Sequence, residues 1–260
     1  MKRILGRKQR TQNDRWIYAI EHIEALVSRQ ELDSAVATAT AAIQRATEGK
    51  RSAYAWSGGK DSLVLSDICR QAGVTDCMFA HTDLEYPAFL QWCLEHKPDG
   101  CEVICTGQDL DWLASHQNMV FPSGAAQARW YQIVQRAAFT DYFFRHKLDV
   151  ILVGHRKADG NVSGNGGVIS KESGEVRFAP LADWPHELIL AYIHYYGLEL
   201  PPIYGWKDGF RCGTHPWPSR MHMSSVEQGY REVYEIDPSI VIDAAEKLSS
   251  ARHFLEGVSA

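Results

Sequence analysis

A run of six residues in the first third of the chain could bind a phosphate group: Ser57-Gly58-Gly59-Lys60-Asp61-Ser62. The two glycines let the backbone turn tightly, because no Cβ restricts them. The apolar residues before the run predict a strand and those after it predict a helix, so several backbone N–H groups converge at the positive end of a helix dipole. Ser57 and Ser62 add hydroxyl donors, and Lys60 adds a positive charge. The spacing therefore predicts a phosphate or pyrophosphate site built mainly from backbone amides.

The residue after Lys60 distinguishes this loop from a Walker A motif, which continues from lysine to serine or threonine. Here Lys60 is followed by Asp61. Two interpretations of Asp61 remain open. Its carboxylate could bind Mg²⁺ beside the phosphates, or it could accept backbone N–H groups at the start of the helix.

From residue 51 onward, strand patterns alternate with helix patterns, which is typical of a parallel α/β sheet. The predicted strands cover residues 53–57, 76–80, 102–105 and 149–153, and a long helix is predicted over 126–146. Ligands of such sheets bind beyond the carboxyl ends of the strands. We therefore expect Ser57, the pair Thr82-Asp83 and the turn Gly154-His155-Arg156 to converge on one site.

The segments on either side of the α/β region define the predicted organisation. Residues 1–50 form an N-terminal helical extension, with helices near 16–27 and 31–47, and residues 51–200 form the nucleotide-binding domain. Residues 201–260 form a C-terminal loop and a helix over 239–255 that packs on the core. The first ten residues carry five basic side chains. They could contact nucleic acid, but short runs of like charge are usually solvated termini, so we expect a solvated terminus.

A glycine-rich stretch over residues 159–167 follows the fourth predicted strand. It lacks the strand-to-helix context of a dinucleotide fingerprint. We predict a loop that leads into a β-hairpin, with arms over 168–170 and 175–178. The loop could serve as a lid over the nucleotide or be a plain insertion.

The composition limits the class of protein. The chain has 260 residues, 45% hydrophobic and 23% charged, which is ordinary for a soluble globular protein. A net charge of −5 gives no reason to expect bulk nucleic-acid binding, and neither a membrane-spanning run nor a secretory signal is present in the sequence. We expect a cytoplasmic protein. Its six cysteines lack paired metal-ligand spacing, so we expect mostly buried, reduced thiols.

The glycine loop resembles the PP-loop of the adenine nucleotide α-hydrolase superfamily, and later segments resemble the phosphoadenosine phosphosulfate (PAPS) reductase-like family within it. That family has Asp-Thr-Gly and an aromatic-Pro after its second strand, where this chain has His81-Thr82-Asp83 and Tyr86-Pro87. Gly154-His155-Arg156 is similar to the family's Gly-x-Arg turn. Three further segments also match, namely Pro180-Leu181-Ala182-Asp183-Trp184, Leu200-Pro201-Pro202-Ile203-Tyr204-Gly205 and the loop that contains Cys212.

The resemblance covers residues 53–212 and implies a three-layer Rossmann-like (HUP-type) α/β fold. It also implies a set of nucleotide-binding residues. Arg156 would bind an anionic group through its planar pair of donors, and Thr82 and Asp83 would face the adenine or the ribose. The full set is Ser57, Gly58, Gly59, Lys60, Asp61, Ser62, Thr82, Asp83, Gly154 and Arg156.

The resemblance implies an enzyme whose substrate is ATP, attacked at the α-phosphorus with release of pyrophosphate. Mg²⁺, Lys60 and Arg156 would offset the charge on the leaving group, and Asp61 is the tentative magnesium ligand. The resemblance does not identify the acceptor that is adenylylated. It also leaves the oligomeric state undecided, with a homodimer as one option.

The first alternative is a sulfite-forming PAPS or adenylyl-sulfate reductase that uses Cys212 as the nucleophile. Cys212-Gly213-Thr214-His215 echoes a reductase Cys-Gly-x-His motif, but Arg211 precedes it and the last twelve residues contain no cysteine. The cysteine pattern of an iron–sulfur cluster is absent, so none is expected. A second alternative is a nucleotide-sensing or nucleic-acid-associated protein that binds without turnover.

Overall fold

A β-sheet forms the centre of the protein. The computed structural model describes residues 1–123, 126–220 and 225–258, and within these ranges the strands form one six-stranded sheet. The strands are β1 (Ser52–Trp56), β2 (Cys77–His81), β3 (Glu102–Cys105), β4 (Val150–Leu152), β5 (Val168–Ser170) and β6 (Val176–Phe178). Their order is β3-β2-β1-β4-β6-β5, and all neighbours except β5 and β6 run parallel.

The order of the strands places a topological switch point between β1 and β4. From β1 the chain proceeds outward through β2 to β3, and it then returns to the opposite side of β1 as β4. The predicted hairpin is present as β5 and β6, but β6 also pairs in parallel with β4, Leu152 aligning with Phe178. The sequence did not predict this pairing, because a three-residue strand has too little pattern to name its neighbour.

Helices cover both faces of the sheet. They are α1 (Asn13–Glu21), α2 (Ile23–Leu26), α3 (Arg29–Thr47), α4 (Lys60–Gln71), α5 (Pro87–His96), α6 (Leu110–Ser115), α7 (Gln127–Tyr131), α8 (Ala137–Arg145), α9 (His186–Tyr196), α10 (Gly209–Cys212), α11 (Val226–Ile236), α12 (Pro238–Lys247) and α13 (Ser249–Val258). None of the helices in the described ranges has the apolar length needed to traverse a bilayer.

Three predicted helices are interrupted. The first breaks at His22, between α1 and α2, and the last breaks at Leu248, between α12 and α13. The long helix contains a π-helical turn over Gln132–Arg136, between α7 and α8. Apolar spacing predicted the helical faces but not the breaks. At His22 and at Leu248 the residues on either side of the break belong to the same buried cluster, so the apolar pattern continues across it.

The alternation of side chains along β1 explains the three layers. Tyr54 and Trp56 belong to the larger buried cluster, which includes residues of α3, α4 and α9. Ala53 and Ala55 belong to a second cluster, with Phe139 and other side chains of α8. Successive side chains of a strand point to opposite faces, so each face of β1 contacts a different helical layer. This three-layer arrangement confirms the predicted α/β class.

The backbone of the N-terminal arm, residues 1–12, is bound to the body of the protein. The Lys2 amide donates to the carbonyl of Leu26 at 2.7 Å. The amides of Ile4 and Leu5 both donate to Oε1 of Glu187, each at 2.7 Å. The side chains of Lys2, Arg3 and Arg7 are exposed, as expected for a solvated terminus. The backbone is ordered instead, because a fully buried carboxylate at the start of α9 supplies an acceptor that the charge pattern of the arm could not reveal.

Candidate functional site

A cavity lies where β1 and β4 end, at the switch point of the sheet. This main cavity has a volume of about 470 Å³. Ser57 and Gly59 line it from the end of β1, and Val153, Gly154 and His155 line it from the end of β4. The position is the one at which open parallel sheets bind ligands, and the predicted convergence of these two strand ends is observed.

The Ser-Gly-Gly turn is shaped by close packing. Gly58 has φ +65°, and a Cβ at this position would lie 2.4 Å from Sγ of Cys93, so any side chain would be excluded. Oγ of Ser62 accepts from the Ser57 amide at 3.0 Å and donates to the Gly59 carbonyl at 2.9 Å. The turn is thus held in its bend by its own hydroxyl, with Gly59 facing the cavity.

The side chain of Tyr204 reaches the predicted phosphate cradle from a later loop. Its hydroxyl accepts from the backbone amide of Lys60 at 2.8 Å and also lines the main cavity. Burial raises the pKa of Tyr204 far above its usual value, so the phenol stays neutral. One of the predicted cradle amides therefore donates to a hydroxyl, and a phosphate oxygen would have to share or replace that acceptor.

Four charged side chains form a compact network beside the turn. Nζ of Lys60 lies 2.6 Å from Oδ2 of Asp61, and Arg156 lies 2.7 Å from Oδ1 of Asp61 and 2.8 Å from Oδ2 of Asp159. Lys60 is 1% exposed and Arg156 is fully buried. The two positive charges and the two negative charges neutralise each other, and buried charges need such pairing to be stable.

Arg156 does not face the main cavity. Its guanidinium also donates to the carbonyl of Trp184 at 3.0 Å and contacts Nδ1 of His186 at 3.1 Å. Burial, and then the charge of Arg156, lower the pKa of His186 to about 2, so this ring is neutral and accepts the bond. Every side of the guanidinium has a protein partner. In this structure Arg156 holds Asp61 and Asp159, and its contact with an anionic ligand stays a prediction.

Asp61 lines the cavity but is poorly placed to bind Mg²⁺. Burial alone would raise its pKa, but the charges of Arg156 and Lys60 outweigh this effect and lower the pKa below its usual range. Both carboxylate oxygens already accept from these cations. A magnesium ion would compete with two fixed positive charges, so the donor set does not fit the metal-ligand interpretation. The capping interpretation is not observed either, since Gly59 is the N-cap and no side chain caps α4.

Thr82 and Asp83 do not line the main cavity. Thr82 is fully buried, and its hydroxyl donates to Oε1 of Glu85 at 3.1 Å while it accepts from the amide of Leu84. Asp83 is exposed, and its Oδ1 lies 3.4 Å from Sγ of Cys105. In this conformation the hydrogen bonds of Thr82 stabilise the turn that follows β2. Neither Thr82 nor Asp83 is placed to contact a nucleotide in the main cavity.

The carboxyl group of Glu85 has a raised pKa, which the sequence did not indicate. It borders a smaller cavity of about 50 Å³ that shares Ser57 and Thr214 with the main one. Burial raises the pKa of Glu85 to about 7, although two hydrogen bonds from Thr82 oppose this effect. The native state therefore retains a proton that the unfolded chain, with a pKa near 4.5, releases.

We expect this proton to make stability fall as the pH rises from about 4.5 to about 7. A raised native pKa favours folding below the unfolded value and loses that contribution above the native one, on the order of 2–3 kcal/mol for this shift. Glu85→Gln should remove the slope and make the variant more stable than the wild type at pH 8.5. Urea titrations at pH 4.5 and 8.5 measure this, and equal slopes in both proteins would contradict the assignment.

Cys212 is buried at the end of α10 and does not line the cavity. It is 1% exposed, and burial raises the pKa of its thiol. Its neighbours Arg211, Gly213 and Thr214 do line the cavity. The loop therefore reaches the site, but the thiol points into the protein.

The sequence did not predict several of the residues that line the main cavity. Lys8 enters from the N-terminal arm, and Tyr131 and Gln135 enter from α7 and the π turn that follows it. Tyr204 lies in the segment over 200–205 that resembles the family, but the sequence predicted no role for it. Only the spacing of Tyr131 and Gln135, four residues apart on one helical face, could have indicated a shared surface. For Lys8 no sequence signal distinguishes it from the other cations of the arm.

These features define a class, a parallel α/β protein whose main cavity lies against a strand–glycine turn–helix unit. Residues 51–215 match the family model described as phosphoadenosine phosphosulfate reductase domain. The match covers more than half of the chain, and the chain therefore belongs to this family. The predicted resemblance is confirmed at that level.

No curated protein matches the chain. Among solved structures, the chain is similar to phosphoadenylyl-sulfate (PAPS) reductase from Candida auris in its phosphate complex, with a TM-score of 0.49 and 15% sequence identity. That similarity covers 70% of this chain and 94% of the other.

Proposed function

We propose that the protein binds an adenine nucleotide in the main cavity and catalyses attack on the α-phosphorus of ATP, with release of pyrophosphate. One observation favours this reaction over a thiol-dependent one. None of the described residues that line the main cavity is a cysteine. Family membership supports a nucleotide ligand and an enzyme, and the position of Ser57 and Gly59 on the wall of the main cavity supports the binding of its anionic tail.

The proposed step is a substitution without oxidation or reduction. An acceptor oxygen, nitrogen or sulfur donates its electron pair to the α-phosphorus, and the bond to the bridging oxygen breaks. That electron pair leaves with pyrophosphate, and the acceptor's proton passes to solvent. Backbone amides at the start of α4 offset the charge that develops on the leaving group. Mg²⁺ would arrive bound to the phosphates of ATP.

The residues of the charge network act through position rather than by contact with the ligand. Lys60 and Arg156 hold Asp61, whose backbone packs against the end of β4. A Cβ on Gly154 would lie 3.4 Å from the carbonyl atoms of Asp61. The network thus fixes the first turn of α4 against β4, and with it the direction of the amides that face the cavity.

A second candidate function is the reduction of an adenylyl-sulfate by Cys212. The specific observation for it is that Gly213 and Thr214, which follow Cys212, line the cavity. A rotation of this loop would bring the thiolate to the sulfur, which would break the bond from sulfur to the nucleotide oxygen and leave an S-sulfonate on the cysteine. A dithiol reductant would then release sulfite and become a disulfide. The buried thiol and its raised pKa weigh against this reaction.

The two functions predict opposite results for one variant. Cys212→Ser should leave ATP-dependent pyrophosphate release unchanged within about twofold, because the thiol is remote from that chemistry. The same variant should abolish any sulfite release from adenylyl-sulfates. The assay follows pyrophosphate and sulfite with Mg-ATP, a panel of acceptors and both adenylyl-sulfates. Cys105→Ser, which changes an exposed cysteine, is the control. If no condition yields pyrophosphate and the wild type yields sulfite that Cys212→Ser abolishes, the second function replaces the first.

A further inference from the structure

The arm that crosses the body of the protein ends beside the main cavity. Hydrogen bonds to Leu26 and Glu187 fix residues 2–5, and the hydroxyl of Thr11 donates to the Arg7 carbonyl at 3.0 Å. Between them Lys8–Arg10 forms a single 3-10 turn. Residues 2–5 are therefore anchored to the body, a hydrogen bond within the arm closes the turn that contains Lys8, and this residue lines the cavity together with Ser57 and Gly59.

The beginning of α1 locks the other end of the arm. Trp16 is fully buried and stacks on Phe210, with ring centroids 5.5 Å apart. The ring of Trp16 also makes an edge contact with the ring of His186, with centroids 4.5 Å apart. Nζ of Lys60 lies 5.6 Å from the centroid of the Trp16 ring. The arm and α1 thus cover the charge network from outside, so Lys8 approaches the site with its backbone already ordered.

Lys8 differs from the other cations of the site in having no counterion. Within the described ranges, Lys60 and Arg156 each have carboxylate partners, while Nζ of Lys8 has no ion-pair or hydrogen-bond partner. The ammonium packs instead against Gly213, where a Cβ would lie 2.4 Å from it and where φ is +70°. Burial and the charge of Lys60 lower the pKa of Lys8, with Asp159 and Asp61 opposing them. An anion in the cavity would relieve this cost.

We propose that Lys8 is the residue that recognises the anionic tail of the ligand, a chain of phosphate or phosphosulfate oxygens, and that the N-terminal arm exists at this site to deliver it. The inference rests on the proposed nucleotide site. It replaces the predicted roles of Lys60 and Arg156 as direct partners of the ligand, since both have their charge balanced inside the protein. Two described cations line the main cavity, Lys8 and Arg211. Arg211 pairs with Asp208 at 3.6 Å, whereas Lys8 has no carboxylate within ion-pair distance among the described residues, so its charge is the one available to a ligand.

The test compares affinities for probes with and without an anionic tail. Lys8→Met should weaken the binding of inorganic pyrophosphate and of ATP by about 10- to 100-fold, as expected for loss of a charge-assisted partner. The affinity for adenosine should stay within about twofold, and the salt dependence of ATP binding should become shallower. Calorimetric titration at two salt concentrations measures all of these. Lys8→Arg should retain most of the affinity, and Lys2→Met, which changes an exposed cation of the same arm, should behave like the wild type.

Thermal unfolding separates a ligand-binding role from a structural one. Because Lys8 has no counterion and is partly buried beside another cation, Lys8→Met should be as stable as the wild type or more stable without ligand. A clear loss of stability would indicate that Lys8 braces the fold instead. If Lys8→Met binds pyrophosphate and ATP within twofold of the wild type, the inference fails while the proposed nucleotide site stands. If the wild type binds neither probe, both fail.

Discussion

Arg156→Met is expected to destabilise the protein by about 3–5 kcal/mol, the usual cost when one member of a buried charge network is removed. The substitution leaves two carboxylates, Asp61 and Asp159, with Lys60 as the remaining described cation within ion-pair distance. It also leaves the carbonyl of Trp184 without its donor. Urea unfolding followed by tryptophan fluorescence measures the change.

Two control variants test whether the burial and the planar geometry of Arg156 cause this loss of stability. Arg145→Met removes an arginine whose side chain is 44% exposed and paired with Glu102, and should cost about 1 kcal/mol or less. Arg156→Lys keeps the charge but loses the planar fork, so its stability should lie between those of the wild type and Arg156→Met. If Arg156→Met is nearly as stable as the wild type but binds ATP poorly, Arg156 contacts the ligand directly, as the sequence alone implied.

Gly58→Ala is expected to destabilise the protein by about 2–5 kcal/mol and to abolish nucleotide binding. A left-handed backbone costs an alanine about 1–2 kcal/mol, and Gly58 has φ +65°. The new methyl group would also lie 2.4 Å from Sγ of Cys93 and 3.3 Å from the ring of Phe89, both buried, and overpacking of this kind costs about 1–3 kcal/mol more. The turn would have to move, and the cradle with it.

A matched glycine separates the two causes. Gly160 has φ +88°, but a Cβ there would meet nothing within 4 Å, so Gly160→Ala should cost only about 1–2 kcal/mol for the backbone. Adding Cys93→Ala to Gly58→Ala should recover part of the packing cost, as a positive coupling in a double-mutant cycle. Equal stability losses for Gly58→Ala and Gly160→Ala would show that the turn is not confined by Cys93.

The bound arm changes how the non-catalytic alternative can be tested. Deleting residues 1–10 would remove Lys8 from the cavity and leave the buried carboxylate of Glu187 without its two amide donors. A loss of nucleic-acid binding after that deletion would therefore be ambiguous. The exposed cations Lys2, Arg3 and Arg7 can be replaced together while Lys8 stays. Salt-sensitive binding to DNA or RNA that survives this triple replacement would not come from those three side chains.

The sequence by itself determined the parallel α/β class, the strand–glycine turn–helix unit and the family. These depend on local signals, because glycines, apolar runs and their spacing act within a few residues of one another. The predicted strand over 102–105 coincides with β3, and the helix predicted after the glycine turn is present as α4. The hairpin that follows the glycine-rich stretch was predicted for the same reason.

Only the tertiary structure decided which charges are free to meet a ligand. Lys60 and Arg156 stand in predicted motifs, yet it is Asp61, 95 residues before Arg156, that joins the two cations in one network. Lys8 stands in a run that looks solvated, yet Glu187, nearly 180 residues further on, anchors its arm at the cavity. Burial and pairing of charge depend on contacts between distant segments, and local spacing carries no record of them.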